Sequence, residues 1–133
     1  MFDQYGVGLG FLATIRPDGA PRLHPICVVI AAGGLLCFLV PSPKRDDLER
    51  DGRYALHAYP PELTDDEFYV SGRAALVTDG ARRAEVAAAY RNTVQETDEL
   101  FELSLDRALL ARYKHRGDWP PTYTRWRAPD SSD

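Results

Sequence analysis

The stretch from residue 37 to residue 59, CFLVPSPKRDDLERDGRYALHAY, constrains the fold of this chain more than any other. A strand-like run, CFLV, leads into a proline-rich turn and a very polar segment, and a second strand-like run, RYALHAY, follows. Ser42 is a favourable helix N-cap, Pro43 is a favourable first helical residue, and Gly52 is placed to end the helix. The sequence therefore predicts a strand, a short helix and a strand in succession.

The first turn of this predicted helix carries two cations, Lys44 and Arg45. The helix macrodipole disfavours cations at this end, so helix stability does not explain them. A bound anion would, because the first-turn amide groups, the Ser42 hydroxyl and the Lys44 ammonium could converge on one phosphate. The alternative is a solvated surface helix whose own acidic residues offset the positive charge. Local chemistry alone leaves both interpretations open.

Most of the remaining chain alternates short apolar runs with turn residues. Antiparallel strands are predicted over residues 8–15, 21–30, 35–40, 53–59, 67–78, 99–106 and 121–127. Pro25 interrupts the second of these and requires a bulge or an unpaired edge there, and Gly72 indicates a bend in the fifth. A second helix is predicted over residues 81–93, and the run ALLARY after residue 106 could be strand or helix.

This order of elements contains no βαβ alternation. It predicts a mainly β fold, a closed or nearly closed antiparallel barrel of six to seven strands with two or three short helices packed outside. The 133 residues predict a single domain over residues 1–133, with a disordered tail at 129–133. Cys27 and Cys37 are predicted to point to opposite sheet faces and to remain free thiols.

Composition argues against several classes of function. The net charge of −4 and the pI of about 5.3 do not suit a general nucleic-acid-binding protein. No apolar run approaches the roughly 20 residues of a membrane helix, and no signal-peptide pattern is found, so a cytoplasmic location without membrane contact is expected. No cysteine and histidine cluster has zinc spacing, and no metal site is predicted.

Four stretches together resemble the pyridoxamine 5′-phosphate oxidase-like family of flavin-binding split barrels. They are GFLATIRPDGAPRLHPICVVI, FLVPSPKRDDLERDGRYALHA, EFYVSGRAALVTD and TRWRAP. The first two resemble a recurring family pattern, LAT-x-x-x-DG-x-P-x-x-x-P, then a hairpin, S-x-K-x-x-x-L-x-x-D and a strand. The resemblance runs from about Gly8 to Ala128. Each motif is weak alone, whereas their order and spacing over about fifty residues are fairly specific.

The resemblance implies a split β-barrel homodimer that binds flavin mononucleotide (FMN) in the cleft between its subunits. In that family the S-x-K segment, here Ser42 and Lys44, holds the flavin phosphate. Polar residues of the second strand lie near the phosphate, and backbone groups of the same strand would face the flavin ring. The cofactor-binding residues expected on this basis are Ser42, Lys44, Arg22, His24, Pro25, Ile26, Cys27, Arg45 and Trp126.

One departure from the family pattern concerns the phosphate. Relatives often carry Thr or Arg two or three residues before the serine, whereas Leu39, Val40 and Pro41 stand here, so one phosphate ligand is missing or replaced. The resemblance implies a flavin-dependent oxidoreductase that transfers hydride to or from a small organic substrate. No catalytic side chain is predicted, because the cofactor carries the chemistry. The alternatives are an F420-dependent reductase on the same fold and a non-catalytic flavin-binding or carrier protein.

Overall fold

The computed structural model describes residues 8–59, 64–90 and 92–129, and these form eight strands and two helices. The strands are β1 (Leu9–Ile15), β2 (Pro21–Cys27), β3 (Val29–Ala31), β4 (Gly34–Leu39), β5 (Arg53–Ala58), β6 (Glu67–Leu76), β7 (Glu99–Arg112) and β8 (Thr122–Arg127). The helices are α1 (Pro43–Arg50) and α2 (Gly80–Ala89). The predicted mainly β class with short helices is confirmed.

All eight strands belong to one antiparallel sheet that curls into a half-barrel. The order is β2-β1-β5-β6-β7-β4-β3, and β8 pairs with β7 beside this path. The additional strand arises because the predicted second strand divides at Val28, so that its first part pairs with β1 and its second part with β4. Pro25 stays in register opposite Phe11, three residues before the division. The two ends of the sheet are therefore joined by one continuous segment of chain.

The apolar side chains form two buried clusters. The larger one fills the curled sheet and includes the fully buried Leu12, Leu56 and Phe101. The smaller one lies between β4 and α2, where Leu36 packs with Val86. Because β4 contributes to both clusters, its residues are buried on both faces, which explains a continuous apolar run in place of alternation. Each such side chain contributes about 1.5–3 kcal/mol when fully buried.

Gly72 allows β6 and β7 to approach each other at a bulge. The register shifts between Ser71 and Gly72, and a Cβ atom at Gly72 would lie 1.9 Å from the Ser104 carbonyl oxygen. A side chain cannot fit there, so the predicted bend is confirmed together with its cause. The run ALLARY is largely strand, because β7 continues to Arg112 between β6 and β8 and pairing on both sides overrides helix propensity.

Several predictions fall partly or wholly outside this region. Of the tail predicted to be disordered, only Pro129 belongs to the described residues. The assignment of residues 1–133 to a single domain stays a prediction. Within the described ranges, Cys27 and Cys37 are free thiols, as predicted. Neither α1 nor α2 has the length and apolar character that a bilayer-spanning helix requires.

Candidate functional site

The N-terminus of α1 has no side-chain cap. Ser42 occupies the N-cap position with extended backbone, but its hydroxyl donates to the Val40 carbonyl oxygen at 2.8 Å instead of accepting from a helix amide. Pro43 has no N–H, so the free donors of the first turn are the amides of Lys44 and Arg45. The local geometry therefore presents backbone donors, and the positive end of the helix dipole, at this position.

Lys44 lies half-buried beside these amides, and it has no carboxylate within ion-pair distance in the described parts of the chain. Its charge is close to strand β4. Burial raises the pKa of the Cys37 thiol to about 12, and the positive charge of Lys44 opposes that increase. Cys37 is thus a protonated core residue. Lys44 is a partly desolvated cation that the described protein does not neutralise.

A buried carboxylate connects α1 to the first two strands. Asp47 is 1% exposed and accepts hydrogen bonds from Thr14 Oγ1 at 2.8 Å and from Arg22 Nε at 2.7 Å. Arg50 Nη1 also lies 3.4 Å from its second oxygen. Burial by itself would raise the pKa of Asp47, but the hydrogen bonds from Arg22 and Thr14 outweigh burial, so the pKa lies below its ordinary value.

Strand β2 supplies the remaining polar groups expected at the site. Arg22 and His24 lie on one face of the strand with the buried Ile26, as their alternation predicts. Because β2 pairs only with β1 in the described sheet, the other edge of its backbone, from Pro25 to Cys27, remains without a strand partner. Pro25 has no N–H, and the Cys27 carbonyl oxygen accepts a hydrogen bond from the Tyr90 hydroxyl at 3.0 Å, so only part of this edge can offer peptide groups to a flat ligand.

Arg45 points away from this group. Its Nη1 donates to the Thr97 carbonyl oxygen at 2.7 Å, and its Nε lies 3.5 Å from Glu99 Oε2 and 3.8 Å from Glu49 Oε1. These partners belong to β7, to the loop before it and to α1 itself. Of the two adjacent cations predicted to assist phosphate binding, the structure leaves Lys44 available and engages Arg45 elsewhere.

Trp126 lies in a different part of the molecule. It is 48% exposed on β8 and lines a cleft of about 370 Å³ together with Tyr69 and three arginines, Arg107, Arg125 and Arg127. Neither Ser42 nor Lys44 lines this cleft. Within one chain the structure therefore does not bring Trp126 together with the α1 group.

Sequence reasoning missed Asp47 and Thr14 as members of the site. The alternative of a solvated surface helix counts Asp47 among the acidic residues that offset the helix charge, whereas the structure buries it. The available signal was its position three residues after Lys44 and directly before Leu48, which faces the core at 3% exposure. No described group of three or more potential ligands could hold a metal ion.

Comparison with known proteins agrees with this architecture. The sequence profile of the family described as pyridoxamine 5′-phosphate oxidase matches residues 6–114, and no curated protein matches the sequence. A heme-binding protein from Mycobacterium smegmatis superposes with a TM-score of 0.69 at 16% identity, covering 95% of this chain and 55% of that one. This chain thus spans little more than half of that relative.

Two further solved structures are similar over most of their length. General Stress Protein 26 from Bacillus anthracis has a TM-score of 0.64 at 17% identity, with 92% of each chain covered. The heme storage protein HutZ from Vibrio cholerae has a TM-score of 0.61 at 13% identity, covering 77% of this chain and 84% of that one. At such identities the structures establish the fold. The profile spans the barrel from before β1 to the end of β7, and the chain belongs to the pyridoxamine 5′-phosphate oxidase family.

Proposed function

We propose that this chain binds the phosphate of FMN at the N-terminus of α1 and acts, as a homodimer, as a flavin-dependent oxidoreductase. The observation that carries the proposal is Lys44, a half-buried cation with no described carboxylate partner, next to uncapped helix amides. A phosphate dianion would supply both the missing negative charge and the missing acceptors. Family membership supports flavin as the group that carries this phosphate.

The donor set fits such a cofactor. Lys44 and the first-turn amides would hold the phosphate, and the Ser42 hydroxyl would join them by turning away from the Val40 carbonyl oxygen. The part of the β2 edge around Pro25 to Cys27 that Tyr90 leaves unoccupied would offer peptide groups to the ring. Bound flavin supplies the hydride transfer, so the protein needs to bind and orient the cofactor and substrate and needs no strong acid or base of its own. The protonated, buried Cys37 is consistent with this requirement.

A second subunit is part of the proposal because of where Trp126 lies. Strand β7 begins at Glu99, next to Arg45 of α1, and reaches Ala108, which pairs with Trp126, nine residues later. At about 3.3 Å per residue the strand covers at most about 30 Å over this stretch, and we place Trp126 at a flavin bound to α1 of the partner chain. All six residues of β8 are exposed, including Tyr123, and this strand is the surface we expect the dimer to cover.

A second candidate function is ligand binding without catalysis. Two of the similar structures are those of a heme-binding protein and a heme storage protein. The carboxylates of a heme could pair with Lys44 by the same charge complementarity as a phosphate. Leu39, Val40 and Pro41 precede Ser42 and offer no side chain that could bind a phosphate, which also fits a ligand without a phosphate group.

A cofactor titration tests the proposal and separates these candidates. The purified chain is titrated in parallel with FMN, with F420 and with hemin, and binding is followed by absorbance and fluorescence. The expected result is tight FMN binding with the oxidised flavin band at roughly 450 nm, and bleaching of that band by a reducing substrate from a panel of small organic donors. If the chain bound F420 and not FMN, the proposed cofactor would be wrong and an F420-dependent reductase would take its place. Binding of hemin alone would favour the second candidate, ligand binding without catalysis.

The homodimer has its own test. Sedimentation equilibrium of the unmodified chain is expected to give twice the chain mass of 14.9 kDa. Replacing Trp126 with a glutamate is expected to shift the equilibrium to monomer without unfolding, because Trp126 is half-exposed in the single chain. A monomeric wild-type chain that still binds FMN with full affinity would contradict the placement of Trp126 at the flavin.

A further inference from the structure

We infer that Asp47, together with Thr14, is a positioning residue that holds Arg22 as the second phosphate-binding cation of the α1 site. The inference rests on the proposed function and deepens it, since it assigns the preference for a phosphorylated flavin to a specific side chain. Arg22 would bind the phosphate directly. Asp47 and Thr14 would act only through Arg22.

The first step is the geometry of the hydrogen bonds. Thr14 Oγ1 and Arg22 Nε donate to the same oxygen of Asp47, Oδ2, at 2.8 and 2.7 Å. Thr14 and Arg22 are directly opposite each other in the β1–β2 register. Asp47 and Thr14 are 1% and 2% exposed, so neither side chain has room to rotate. The three residues come from three elements, and the bond to the buried Asp47 holds the Nε edge of the Arg22 guanidinium at the helix.

The second step is that Arg22 has two terminal nitrogens that form no hydrogen bond with the described residues. Only its Nε donates to Asp47, and neither terminal nitrogen has an acceptor among the described residues. Its side chain is 23% exposed, so these two nitrogens remain within reach of a ligand. The two terminal groups of a guanidinium form the fork that matches two phosphate oxygens.

The third step is charge and proximity. Lys44 and Asp47 are three residues apart on α1 and therefore lie on the same side of the helix, about 5–6 Å apart at Cβ. Arg50 also contacts Asp47, so one carboxylate is shared by two guanidinium groups. With Lys44 beside them, this side of α1 carries more positive than negative charge. A doubly charged phosphate is the group that balances it.

The experiment compares the affinities for FMN and for riboflavin, which differ only by the phosphate, by flavin fluorescence. Arg22→Ala is expected to weaken FMN binding by about tenfold or more and to leave riboflavin binding unchanged. Thr14→Val keeps the shape of the side chain and keeps Arg22, but removes one restraint on Asp47. It is expected to weaken FMN binding by about three- to fivefold with the same selectivity, a loss that a merely structural threonine would not produce.

Controls keep the result interpretable. Arg53→Ala removes an arginine that is likewise paired with an aspartate near α1, since Arg53 Nη2 lies 2.7 Å from Asp51, but this pair is exposed at the other end of the helix. It is expected to change neither affinity. Arg22→Lys keeps the charge and loses the fork, so it is expected to retain folding, verified by thermal melting, and to lose most of the FMN preference.

Two outcomes overturn the inference in different ways. If the Arg22 and Thr14 variants change the FMN and riboflavin affinities equally or not at all, while Lys44→Ala still weakens FMN alone, the Asp47 pair is structural and the proposed function stands. If the unmodified chain binds FMN no better than riboflavin, the phosphate site itself is wrong, and both proposals fail together.

Discussion

The two sides of helix α1 differ in the ratio of carboxylates to guanidinium groups that connect the helix to the sheet. On one side, which we call the Asp47 cluster (Thr14, Arg22, Asp47 and Arg50), one buried carboxylate receives a hydroxyl and two guanidinium groups. On the other side, which we call the Glu99 cluster (Arg45, Glu49 and Glu99), two carboxylates share a single guanidinium. Both clusters attach the helix to the sheet.

The two clusters differ in how well their polar atoms are satisfied. Every hydrogen bond of Asp47 to Thr14 and Arg22 is short, whereas Arg45 Nε and Glu99 Oε2 are buried without a hydrogen bond. The pKa values move in opposite directions for this reason. The pKa of Asp47 is lowered, while the nearby Glu99 carboxylate, together with burial, raises the pKa of Glu49. A helix can thus be firmly anchored on one side and frustrated on the other.

The largest expected effect concerns the anchored side. Asp47→Asn should lower the free energy of unfolding at neutral pH by about 2–3 kcal/mol, since it removes the buried negative charge that Arg22 and Arg50 face and replaces one of its two acceptor oxygens with an NH₂ group. The folded-state pKa of Asp47 is lowered, so its stabilisation is fully present above the unfolded value of about 4 and is lost as pH falls through the folded value. Urea unfolding of wild type and variant across this range measures both.

The electrostatic interpretation of the Asp47 cluster is contradicted if the difference in the free energy of unfolding between wild type and Asp47→Asn does not depend on pH. A gap between wild type and Asp47→Asn that persists unchanged in strong acid would mean that the charge of Asp47 contributes nothing. The Asp51→Asn variant is the matched control. Asp51 pairs with the exposed Arg53 near the same helix, and its loss should change stability much less than the loss of Asp47.

The next effect separates two adjacent cations that lie on different sides of α1. Lys44→Ala should weaken FMN binding by about 10- to 100-fold, because a charge-assisted phosphate contact contributes about 1.5–3 kcal/mol. Arg45→Ala should leave FMN affinity unchanged, since Arg45 is engaged by Thr97 and Glu99. Titration calorimetry of both variants measures the difference. Equal losses of affinity would show that both sides of the helix face the ligand.

The smallest effect concerns the frustrated side. Glu99→Gln should raise the free energy of unfolding at neutral pH by about 0.5 kcal/mol, a modest value because Glu49 and Glu99 are partly exposed. Since the pKa of Glu49 is raised in the folded state, the wild-type chain loses stability as pH rises through that pKa, and the variant should not. A chemical denaturation series from acid to neutral pH tests this, and a destabilised variant would contradict it.

Short-range rules account for much of the local structure of this protein. Alternation and turn residues located most strand cores, and the bounds of α1 follow from Ser42, Pro43 and the glycine after the helix. The bend at Gly72 was also predictable, because a glycine within an apolar strand indicates close backbone approach. The unfavourable position of the Lys44 cation in the first turn of α1 was also predictable, because the helix dipole acts within a single turn.

Longer-range features were not predictable in this way. The extension of β7 through ALLARY depends on pairing with β6 and β8 on both sides, which local propensity does not contain. The different orientations of Lys44 and Arg45 depend on which strands lie beside α1. Strand β8 was correctly predicted from the sequence, but its position relative to α1 depends on the path of β7, which connects the two regions.

The sequence by itself determined the mainly β class and a short helix with two cations in its first turn, because alternation, turn residues and helix-end residues act over a few positions. The shared order of its motifs indicated the family. Only the tertiary structure decided that Asp47 is a buried acceptor. Thr14 and Asp47 are 33 residues apart and Arg22 and Asp47 are 25 apart, and they meet because the sheet curls and α1 closes over β1. The charge of a residue is written in the sequence, but its dielectric surroundings and partners are set by the fold.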